Sequence, residues 1–305
     1  MSRRLKPLVK CVVPKNIRSL IKRLLVDRAR RKFYRKPDSA FTTKLTSGMG
    51  ELYFDGNVLK IPQPFAGGHY HWLSTHVEDV IELETFLRVA NQSEGLMFDV
   101  GAYKGFFSAL FCKVSKHNAV AFEPVPKNQL AINQIAELNG LTARIDVRAI
   151  AIGNQISTIR MHFDETFEFA QIQKYSDSCA NSPSTIVVQT STVDAMRRLI
   201  GKTLGLLKID VEGFEGEVLE GANKTLWTDR PVIVLEAHND YLAERGVSLR
   251  RILHRVAAQE YVLMALNGRI LNASAASSWI LPRAHLLAVP CERKSRYQQL
   301  VSSHN

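Results

Sequence analysis

The strongest constraint on the fold is an alternation of short apolar runs with segments of helical periodicity from residue 96 onward. Apolar runs typical of buried strands recur at 96–100, 119–124, 144–153, 157–163, 204–213, 231–238, 261–266 and 285–290. Helical segments lie between them at 105–114, 126–140, 215–226 and 249–260, and 185–200 contains a strand, a Ser/Thr cap and a helix. This alternation predicts an α/β fold, a mostly parallel sheet with helices on both faces.

The size and the apolar content of the chain are sufficient for one large core. It has 305 residues, of which 46% are hydrophobic. No run of about 18 apolar residues is present, so no membrane-spanning helix is expected. The four cysteines lie far apart in sequence, which favours free thiols in a reducing cytoplasm over a disulfide framework. We therefore expect a cytoplasmic protein.

The basic charge of the chain is concentrated in its first 36 residues. The whole chain has a formal net charge of +11, but residues 1–36 contain fourteen Lys or Arg and only one acid, Asp27. The remainder is therefore close to neutral, and the sequence predicts a basic N-terminal arm joined to an almost uncharged body.

The apolar residues of this arm have helical spacing, since Ile17, Leu20, Ile21, Leu24 and Leu25 fall on one face of a helix. Three interpretations remain open: the helix caps the core, it lies on an anionic membrane surface through residues 15–36, or it contacts nucleic acid. The arm lacks interleaved aromatic residues that would stack on bases, so no nucleic-acid partner is expected. A membrane contact would place the protein at the inner face of a membrane.

Four regions are predicted along the chain: a helical arm (1–36), a region of loops, hairpins and one helix (37–92), the α/β domain (93–292) and a C-terminal tail (293–305). We expect 37–92 to cover the acceptor side of the active site. Its histidines His69, His71 and His76 could be metal ligands, but loop histidines that shape an acceptor pocket are the favoured interpretation.

The run "LMFDVGAYKGFFSAL" predicts a ligand-binding turn between a strand and a helix. Gly101 would let the chain turn sharply and let a ligand approach the backbone, and Gly105 would open the helix with its unpaired amides. The spacing is GxxxG. The dinucleotide pattern GxGxxG has a further glycine that admits a diphosphate, so the turn favours a nucleoside-like ligand without one.

An acid at the end of the next strand supports this interpretation. Glu123 lies 22 positions after Gly101, where its two carboxylate oxygens could accept hydrogen bonds from ribose hydroxyls. Together with Asp99, which would support the turn or face a ligand ammonium, it indicates S-adenosylmethionine. The alternative is a tight turn with an incidental acid.

Four segments resemble, in order and spacing, the FkbM-type S-adenosylmethionine-dependent methyltransferases: "FDVGAYKGFFS", "AFEPVPKN", "KIDVEGFEGEVLEGA" and "PVIVLEAH". The resemblance covers residues 96 to about 240. It implies a class I methyltransferase fold, Rossmann-like with a seven-stranded sheet, and O-methylation of a hydroxyl on a sugar or a polyketide-like metabolite.

The resemblance also implies a set of cofactor-binding residues, which the two motifs around the turn contain: Asp99, Gly101, Ala102, Tyr103, Gly105, Ser108, Glu123 and Pro124. Tyr103 departs from the family, which usually has Asn at this position. The substitution places an aromatic ring at the mouth of the cofactor site.

Two later strands end in pairs of polar residues that share a face, Asp210 with Glu212 and Glu236 with His238. We expect His238 to be the general base, since its ordinary pKa lies near neutral pH, with Asp210, Glu212 and Glu236 orienting the acceptor or His238. The alternatives are that the acids only cap the following helix and fix loops, or that the cluster holds a divalent metal. Nothing in the pattern requires a metal, and we expect none.

The sequence thus predicts an S-adenosylmethionine-dependent O-methyltransferase that acts on a hydroxyl of a glycan or of a secondary metabolite. Two other functions remain open. Tyr103 permits a binding protein that kept the fold and lost turnover, and the basic arm permits a nucleic-acid methyltransferase. The latter would carry an "NPPY"-type tetrapeptide or a nucleophilic cysteine where this chain has "DVEG".

Overall fold

The computed structural model describes residues 41–45, 49–62, 77–163, 170–171, 185–272 and 283–302. The predicted basic arm and the three histidines between 69 and 76 lie outside the described residues, so the expectations for them stay predictions. Among the helices that the structure describes, none is long and apolar enough to cross a membrane.

The elements follow the predicted alternation. The strands are β1 (Phe41–Leu45), β2 (Met49–Phe54), β3 (Asn57–Pro62), β4 (Leu96–Val100), β5 (Ala119–Phe122), β6 (Ile145–Arg148), β7 (Ala151–Ile152), β8 (Ser157–Phe163), β9 (Ala170–Gln171), β10 (Thr185–Ser191), β11 (Leu204–Ile209), β12 (Val232–His238), β13 (Tyr261–Ala265), β14 (Ile270–Leu271) and β15 (Arg283–Pro290). The helices are α1 (Val77–Asn91), α2 (Phe106–Val114), α3 (Pro126–Leu138), α4 (Val193–Ile200), α5 (Glu215–Glu220), α6 (Asn223–Thr228), α7 (Asn239–Glu244), α8 (Leu249–Ala257) and α9 (Lys294–Ser302).

The largest sheet has eight strands in the order β14-β13-β15-β12-β11-β4-β5-β6. Its five strands from β12 to β6 are parallel, and β15 is antiparallel to both of its neighbours. The predicted seven-stranded class I sheet is confirmed, and the two-residue strand β14 extends one edge. The remaining strands form two smaller sheets, β1-β2-β3 and β7-β10-β8-β9.

The order of the strands reverses at β4. The chain runs outward from β4 to β5 and β6, and then returns on the other side of β4 as β11. Ligands of open α/β sheets bind beyond the carboxyl ends of the strands at such a reversal. The carboxyl ends of β4 and β11 therefore mark the expected crevice.

Two predicted elements divide where the sequence indicates one. The segment 144–153 forms β6 in the large sheet and β7 in a smaller one, and residues 149–150 join the two strands. The segment 215–226 forms α5 and α6, because Asp194 of α4 accepts the backbone N–H groups of Lys224 and Thr225 at 3.0 and 2.7 Å and so caps a new helix.

The hairpin of β2 and β3 packs against α2 and α3, away from the crevice. This corrects, for the hairpin, the expectation that 37–92 covers the acceptor side. Lys60 and Asn139 exchange two hydrogen bonds, of 2.9 and 2.7 Å, at the C-terminal end of α3. Since α3 begins beside the carboxyl end of β5 and its 13 residues span about 20 Å, this contact lies far from the crevice. Within the described part of 37–92, helix α1 is the element that reaches the carboxyl edge, through Glu82.

The segment predicted as a C-terminal tail forms helix α9 over residues 294–302. Tyr297 and Val301 are buried in the same core as α1 and α2, and the Leu300 carbonyl accepts a hydrogen bond from Arg88 at 3.0 Å. These residues belong to the body of the fold. The α/β domain therefore continues past the predicted boundary at 292, at least to residue 302.

The large sheet has an apolar core on each face. On β12, Val232 and Val234 pack on the face covered by α1, α2 and α9, whereas Ile233 packs on the face covered by α5 and α8. Side chains two positions apart share a face, so Glu236 and His238 continue the α1 and α2 face. The polar end of β12 is therefore placed beside the crevice.

Candidate active site

The turn after β4 is packed tightly against the end of β11. The N–H groups of Gly101 and Ala102 both donate to the Phe122 carbonyl at 3.1 Å, and Gly101 has a φ of +78°. A Cβ on Gly101 would lie 1.9 Å from the carbonyl oxygen of Asp210. The sequence predicts close approach of a ligand at this glycine, whereas the backbone of Asp210 fills the Cβ direction. Glycine is thus required by contact within the protein itself.

Gly105 performs a second packing task at the start of α2. It precedes the helix with a φ of +78°, and its carbonyl accepts the N–H of Ala109 at 2.9 Å. A Cβ here would lie 2.8 Å from a methyl carbon of Ile132. The glycine therefore lets α2 lie closely against α3 while the first turn of α2 stays at the crevice.

Tyr103, between the two glycines, adopts the left-handed conformation with a φ of 51°. Its N–H donates to Glu123 Oε2 at 2.8 Å, and the Lys104 ammonium lies 4.7 Å from the centre of its ring. Asn tolerates this conformation better than a bulky residue does, which gives a backbone reason for the Asn usual in similar proteins. The structure describes Tyr103 as half-buried.

Glu123 ties the turn to the tip of β5. Besides Tyr103, its carboxylate accepts the N–H of Val125 at 2.9 Å and the amide of Asn128 at 3.3 Å, both on Oε1. Burial raises the pKa of Glu123 to about 7 although these hydrogen bonds oppose the shift. Pro124 follows it, half-buried. Glu123 thus holds the backbone of the turn, a role that the sequence did not predict, and its contact with ribose stays a prediction.

Asp99 lies beneath the turn and is held by Ser108. Ser108 donates to Asp99 Oδ2 at 2.6 Å, while Oδ1 is buried and has no hydrogen-bond partner in the part of the chain that is described. Burial raises the pKa of Asp99. Ser108 itself is fully buried and positions Asp99 through this hydrogen bond, and its predicted contact with the cofactor stays a prediction.

The four residues predicted to carry the chemistry, Asp210, Glu212, Glu236 and His238, lie together at the carboxyl edge, and we call them the acid–histidine cluster. Nε2 of His238 lies 3.9 Å from Asp210 Oδ1, 3.4 Å from Glu212 Oε2 and 3.5 Å from Glu236 Oε1. Asp210 and Glu212 are partly exposed, whereas Glu236 and His238 are buried. The two exposed carboxylates are therefore the ones that an acceptor can reach.

Glu215 contacts this cluster on its buried side and is not among the residues that the sequence predicts for the site. Its fully buried Oε1 accepts the N–H of Gly213 at 3.0 Å and lies 3.1 Å from His238 Nδ1. The N–H of His238 approaches the same oxygen at 3.4 Å. One carboxylate oxygen therefore joins the turn after β11 to the end of β12 and directs Nε2 of His238 toward the other acids.

The surrounding carboxylates change the protonation of His238. Burial alone would lower its pKa, but the hydrogen bond that its ring donates to Glu215 and the charges of Asp210, Glu236 and Glu212 raise it to about 9. Burial raises the pKa of Glu212 to about 7. In this arrangement the imidazole carries a proton at neutral pH. A general base must be neutral before it accepts a proton, and the neutral form of His238 is then the minor one. This disfavours His238 as the general base that the sequence predicts.

Lys208 connects the two halves of the site. It lies on β11, fully buried, with Nζ 3.3 Å from Asp210 Oδ2 and 4.4 Å from the centre of the Phe107 ring. Burial opposes its charge, but Asp210, Glu82 and Asp99 raise its pKa. One buried ammonium therefore interacts with Asp99, under the cofactor turn, and with Asp210, in the acid–histidine cluster.

A second buried triad adjoins the cluster on the side of α1. Nδ1 of His285 lies 3.1 Å from Glu82 Oε2, and its Nε2 lies 3.9 Å from Glu236 Oε1. The Arg283 guanidinium approaches the same Glu236 oxygen at 3.2 Å. Burial would raise the pKa of Glu82, but His285 and Lys208 lower it. Glu236 is thus shared by both groups.

Some of these residues carry a signal in the sequence. Lys208 interrupts the apolar run "LGLLKIDV", where a lysine needs a partner to be buried. Glu215 stands three residues after Glu212 in the motif "KIDVEGFEGEVLEGA". Glu82 and His285 carry none, because they lie some 200 residues apart and meet only in the folded chain.

The groups around the turn fit S-adenosylmethionine. The buried Asp99 Oδ1 is left to accept a hydrogen bond, and Glu123 places acceptor oxygens at the tip of β5 beside the same turn. An amino-acid ammonium and ribose hydroxyls are the donors that such carboxylates accept. Asp99 and Glu123 would therefore hold the two ends of the cofactor, with Gly101 and Ala102 between them.

Comparison with known proteins supports the same assignment. A family model, described as the methyltransferase FkbM domain, matches residues 99–263, which is more than half of the chain. None of the curated proteins matches the chain.

The solved structures that match the chain have low sequence identity to it. One is a methyltransferase FkbM from Methylobacillus flagellatus KT, with 16% identity, a TM-score of 0.40 and coverage of 64% of this chain. The chain spans 43% of that protein, less than half of its length. Another is an O-methyltransferase from Bacillus cereus in complex with SAH, with 12% identity, a TM-score of 0.37 and coverage of 93% of this chain and 96% of that one. By its family model, the chain belongs to the FkbM methyltransferases, whose cofactor is S-adenosylmethionine.

Proposed function

We propose that the protein transfers the methyl group of S-adenosylmethionine to a hydroxyl of a glycan or of a secondary metabolite. The observation that carries this proposal is the contact between the two halves of the site. The Cβ direction of Gly101 in the cofactor turn points at the carbonyl of Asp210, whose side chain belongs to the acid–histidine cluster. A group bound over the turn would therefore lie beside carboxylates.

The chemistry of the cluster favours a hydroxyl acceptor. Carboxylates accept hydrogen bonds and donate none, so Asp210 and Glu212 suit a ligand that offers O–H groups. A polyhydroxylated acceptor offers several such donors. On the buried side of Asp210 and Glu212, His238 is held between Glu236 and Glu215.

The reaction needs alignment and a place for one proton. Bound in the crevice, the cofactor supplies an electrophilic methyl carbon. Asp210 or Glu212 would accept the hydroxyl proton as the acceptor oxygen takes the methyl group from the sulfonium. Alignment of the reacting atoms supplies a large part of the acceleration in such displacements. Two features would provide this alignment: the turn at Gly101, which backbone hydrogen bonds hold, and the end of β12, which Glu215 contacts through His238.

A turnover assay tests the proposal. Full-length protein is incubated with methyl-labelled S-adenosylmethionine and extracted glycans or hydroxylated metabolites, and the products are identified by mass spectrometry. We expect a methyl ether on one acceptor class. Asp210→Asn and Glu212→Gln should each reduce turnover by about 10²-fold or more, while calorimetry shows unchanged cofactor affinity. Glu220→Gln, on the exposed end of α5, is the control and should retain activity.

Two results would favour other functions. Cofactor binding without turnover on any hydroxyl would support a binding protein, and methylation of nucleic acid would support the alternative based on the arm.

We also propose that the basic segment 15–36 contacts an anionic membrane surface and brings the enzyme to lipid-linked acceptors. The support is its charge and its apolar helical face in the sequence. Flotation with anionic liposomes tests it: removal of residues 1–36 should abolish binding, and unchanged binding would contradict the proposal.

A further inference from the structure

Three members of the acid–histidine cluster have the composition and the spacing of a metal site. Asp210, Glu236 and His238 each offer one ligand atom, and these atoms all lie within 4.8 Å of one another. His238 Nε2 is 3.9 Å from Asp210 Oδ1 and 3.5 Å from Glu236 Oε1. Because metal–ligand bonds are about 2.0–2.2 Å, neighbouring ligand atoms on one ion lie roughly 3–3.5 Å apart. Small side-chain movements would close the difference.

The orientation of His238 is the arrangement that metal-bound histidines have. A ligating imidazole almost always donates its second ring N–H to a carboxylate or carbonyl, which fixes the tautomer. Here Nδ1 of His238 lies 3.1 Å from Oε1 of Glu215, a fully buried residue that also accepts the Gly213 N–H. The other nitrogen, Nε2, is thereby left to face Asp210 and Glu236.

A second observation is an excess of negative charge around this point, of which Glu82, Glu215 and Glu236 are the buried part. The carboxylates within one contact of the cluster belong to Glu82, Asp210, Glu212, Glu215 and Glu236. The permanent cations that touch them there are Lys208 and Arg283. Oε1 of Glu82 and Oε2 of Glu215 are buried and have no hydrogen-bond partner among the residues that the structure describes. Even with a positive charge on His238, which faces three of these carboxylates, five carboxylates face three cations, so the site favours a further positive charge.

Of the two neighbouring cations, Lys208 leaves room for such an ion and Arg283 competes with it. Lys208 approaches Asp210 at Oδ2, whereas Oδ1 faces His238. Arg283 approaches Glu236 at the oxygen that also faces His238, so that oxygen would be shared or the guanidinium displaced. Asp210 is partly exposed, which gives an ion a route from the crevice.

We propose that Asp210, Glu236 and His238 bind one divalent cation, with Glu215 as the buried group that orients His238. Two carboxylates and one imidazole suit a first-row ion such as Mn²⁺ or Zn²⁺. The three ligands leave positions open, and an acceptor hydroxyl bound there would lose its proton more readily. This role deepens the proposed function and rests on it, and it replaces the sequence-based expectation that no metal binds.

Mn²⁺ binding is the direct test, because the EPR signal of free Mn²⁺ is lost on binding. Full-length protein is treated with EDTA, desalted and titrated with Mn²⁺, and Zn²⁺ is then added as a competitor. We expect one Mn²⁺ per chain. Asp210→Asn and His238→Gln should abolish binding, Glu215→Gln should weaken it by about 10–100-fold, and Glu220→Gln should leave it unchanged. Far-UV circular dichroism checks that each variant is folded.

Two results would overturn the inference. One is the absence of Mn²⁺ and Zn²⁺ binding by the wild type. The other is equal binding by Asp210→Asn and the wild type, which would place the ion outside the acid–histidine cluster. Methyl transfer that continues unchanged in EDTA would sink the inference and leave the proposed function standing. If one ion binds and depends on Asp210 but the protein methylates no hydroxyl, the metal site stands and the proposed function is wrong.

Discussion

The two halves of the site are built in different ways. The cofactor half is local: Asp99, Gly101, Gly105 and Glu123 lie within 25 residues, and backbone hydrogen bonds to Phe122 and Glu123 fix the turn. The acceptor half joins the ends of β11 and β12 with α5, α1 and β15, and its members are held by charge. Backbone geometry can be inferred from a short motif, whereas the protonation of a charged cluster depends on every segment that contributes to it.

Lys208 provides the strongest test of this contrast, because it is coupled to both halves. Lys208→Met would remove the buried cation beside Asp210 and leave carboxylates without compensation. We expect a loss of about 3–5 kcal/mol in the free energy of unfolding, measured by urea denaturation. Lys224→Met, at an exposed position on α6, is the control and should change stability little. Equal effects in the two variants would show that the charges of the cluster are not coupled to the fold.

Gly101→Ala tests the contact between the halves. The new methyl group would overlap the Asp210 carbonyl, so we expect a loss of about 2–4 kcal/mol in the free energy of unfolding. Gly140→Ala is the matched control, since Gly140 also has a positive φ, of +67°, but nothing lies within 4 Å of its Cβ position. It should lose only about 1 kcal/mol. If both variants lost the same amount, backbone conformation alone would account for the glycine at 101.

Glu123 gives the cofactor half a pH dependence. With a pKa of about 7, Glu123 is protonated below that pH in the free protein. Ribose hydroxyls favour the carboxylate, so binding releases this proton and the affinity for S-adenosylmethionine falls as the pH falls through 7. We expect roughly tenfold weaker binding at pH 6 than at pH 8 by calorimetry. Glu123→Gln should bind more weakly and remove this dependence; an equally steep dependence in that variant would assign it to another group.

Tyr103 tests the smallest effect, the strain within the turn. Tyr103→Asn should raise the free energy of unfolding by about 0.5–1 kcal/mol, because Asn tolerates a φ of 51° better. Tyr103→Ala keeps the unfavourable conformation and loses the ring that packs near Lys104, so it should be destabilising. Thermal and urea unfolding measure both variants. A stability of Asn at or below that of Ala would show that the ring contributes more than the backbone conformation.

Much of the fold follows from local pattern. Continuous apolar runs predict the strands β4, β5, β11 and β12, and helical apolar spacing predicts the helices between them. The rule that ligands bind at carboxyl strand ends brings Asp210, Glu212, Glu236 and His238 to one edge. The division of 144–153 between two sheets could not be predicted, because it depends on pairing of β7 with β10, over 30 residues away. The division of 215–226 depends in the same way on Asp194, a capping residue from another helix.

The amino-acid sequence by itself determined the α/β architecture, the glycine turn and the identity of the polar residues at the strand ends, because each arises from neighbours along the chain. Only the tertiary structure decided that Gly101 abuts Asp210, that Glu215 orients His238 and that Lys208, Glu82 and His285 surround the site. Short-range periodicity sets backbone conformation, whereas a pKa or an ion-binding site reflects Coulomb interactions among groups that folding alone brings within a few ångströms.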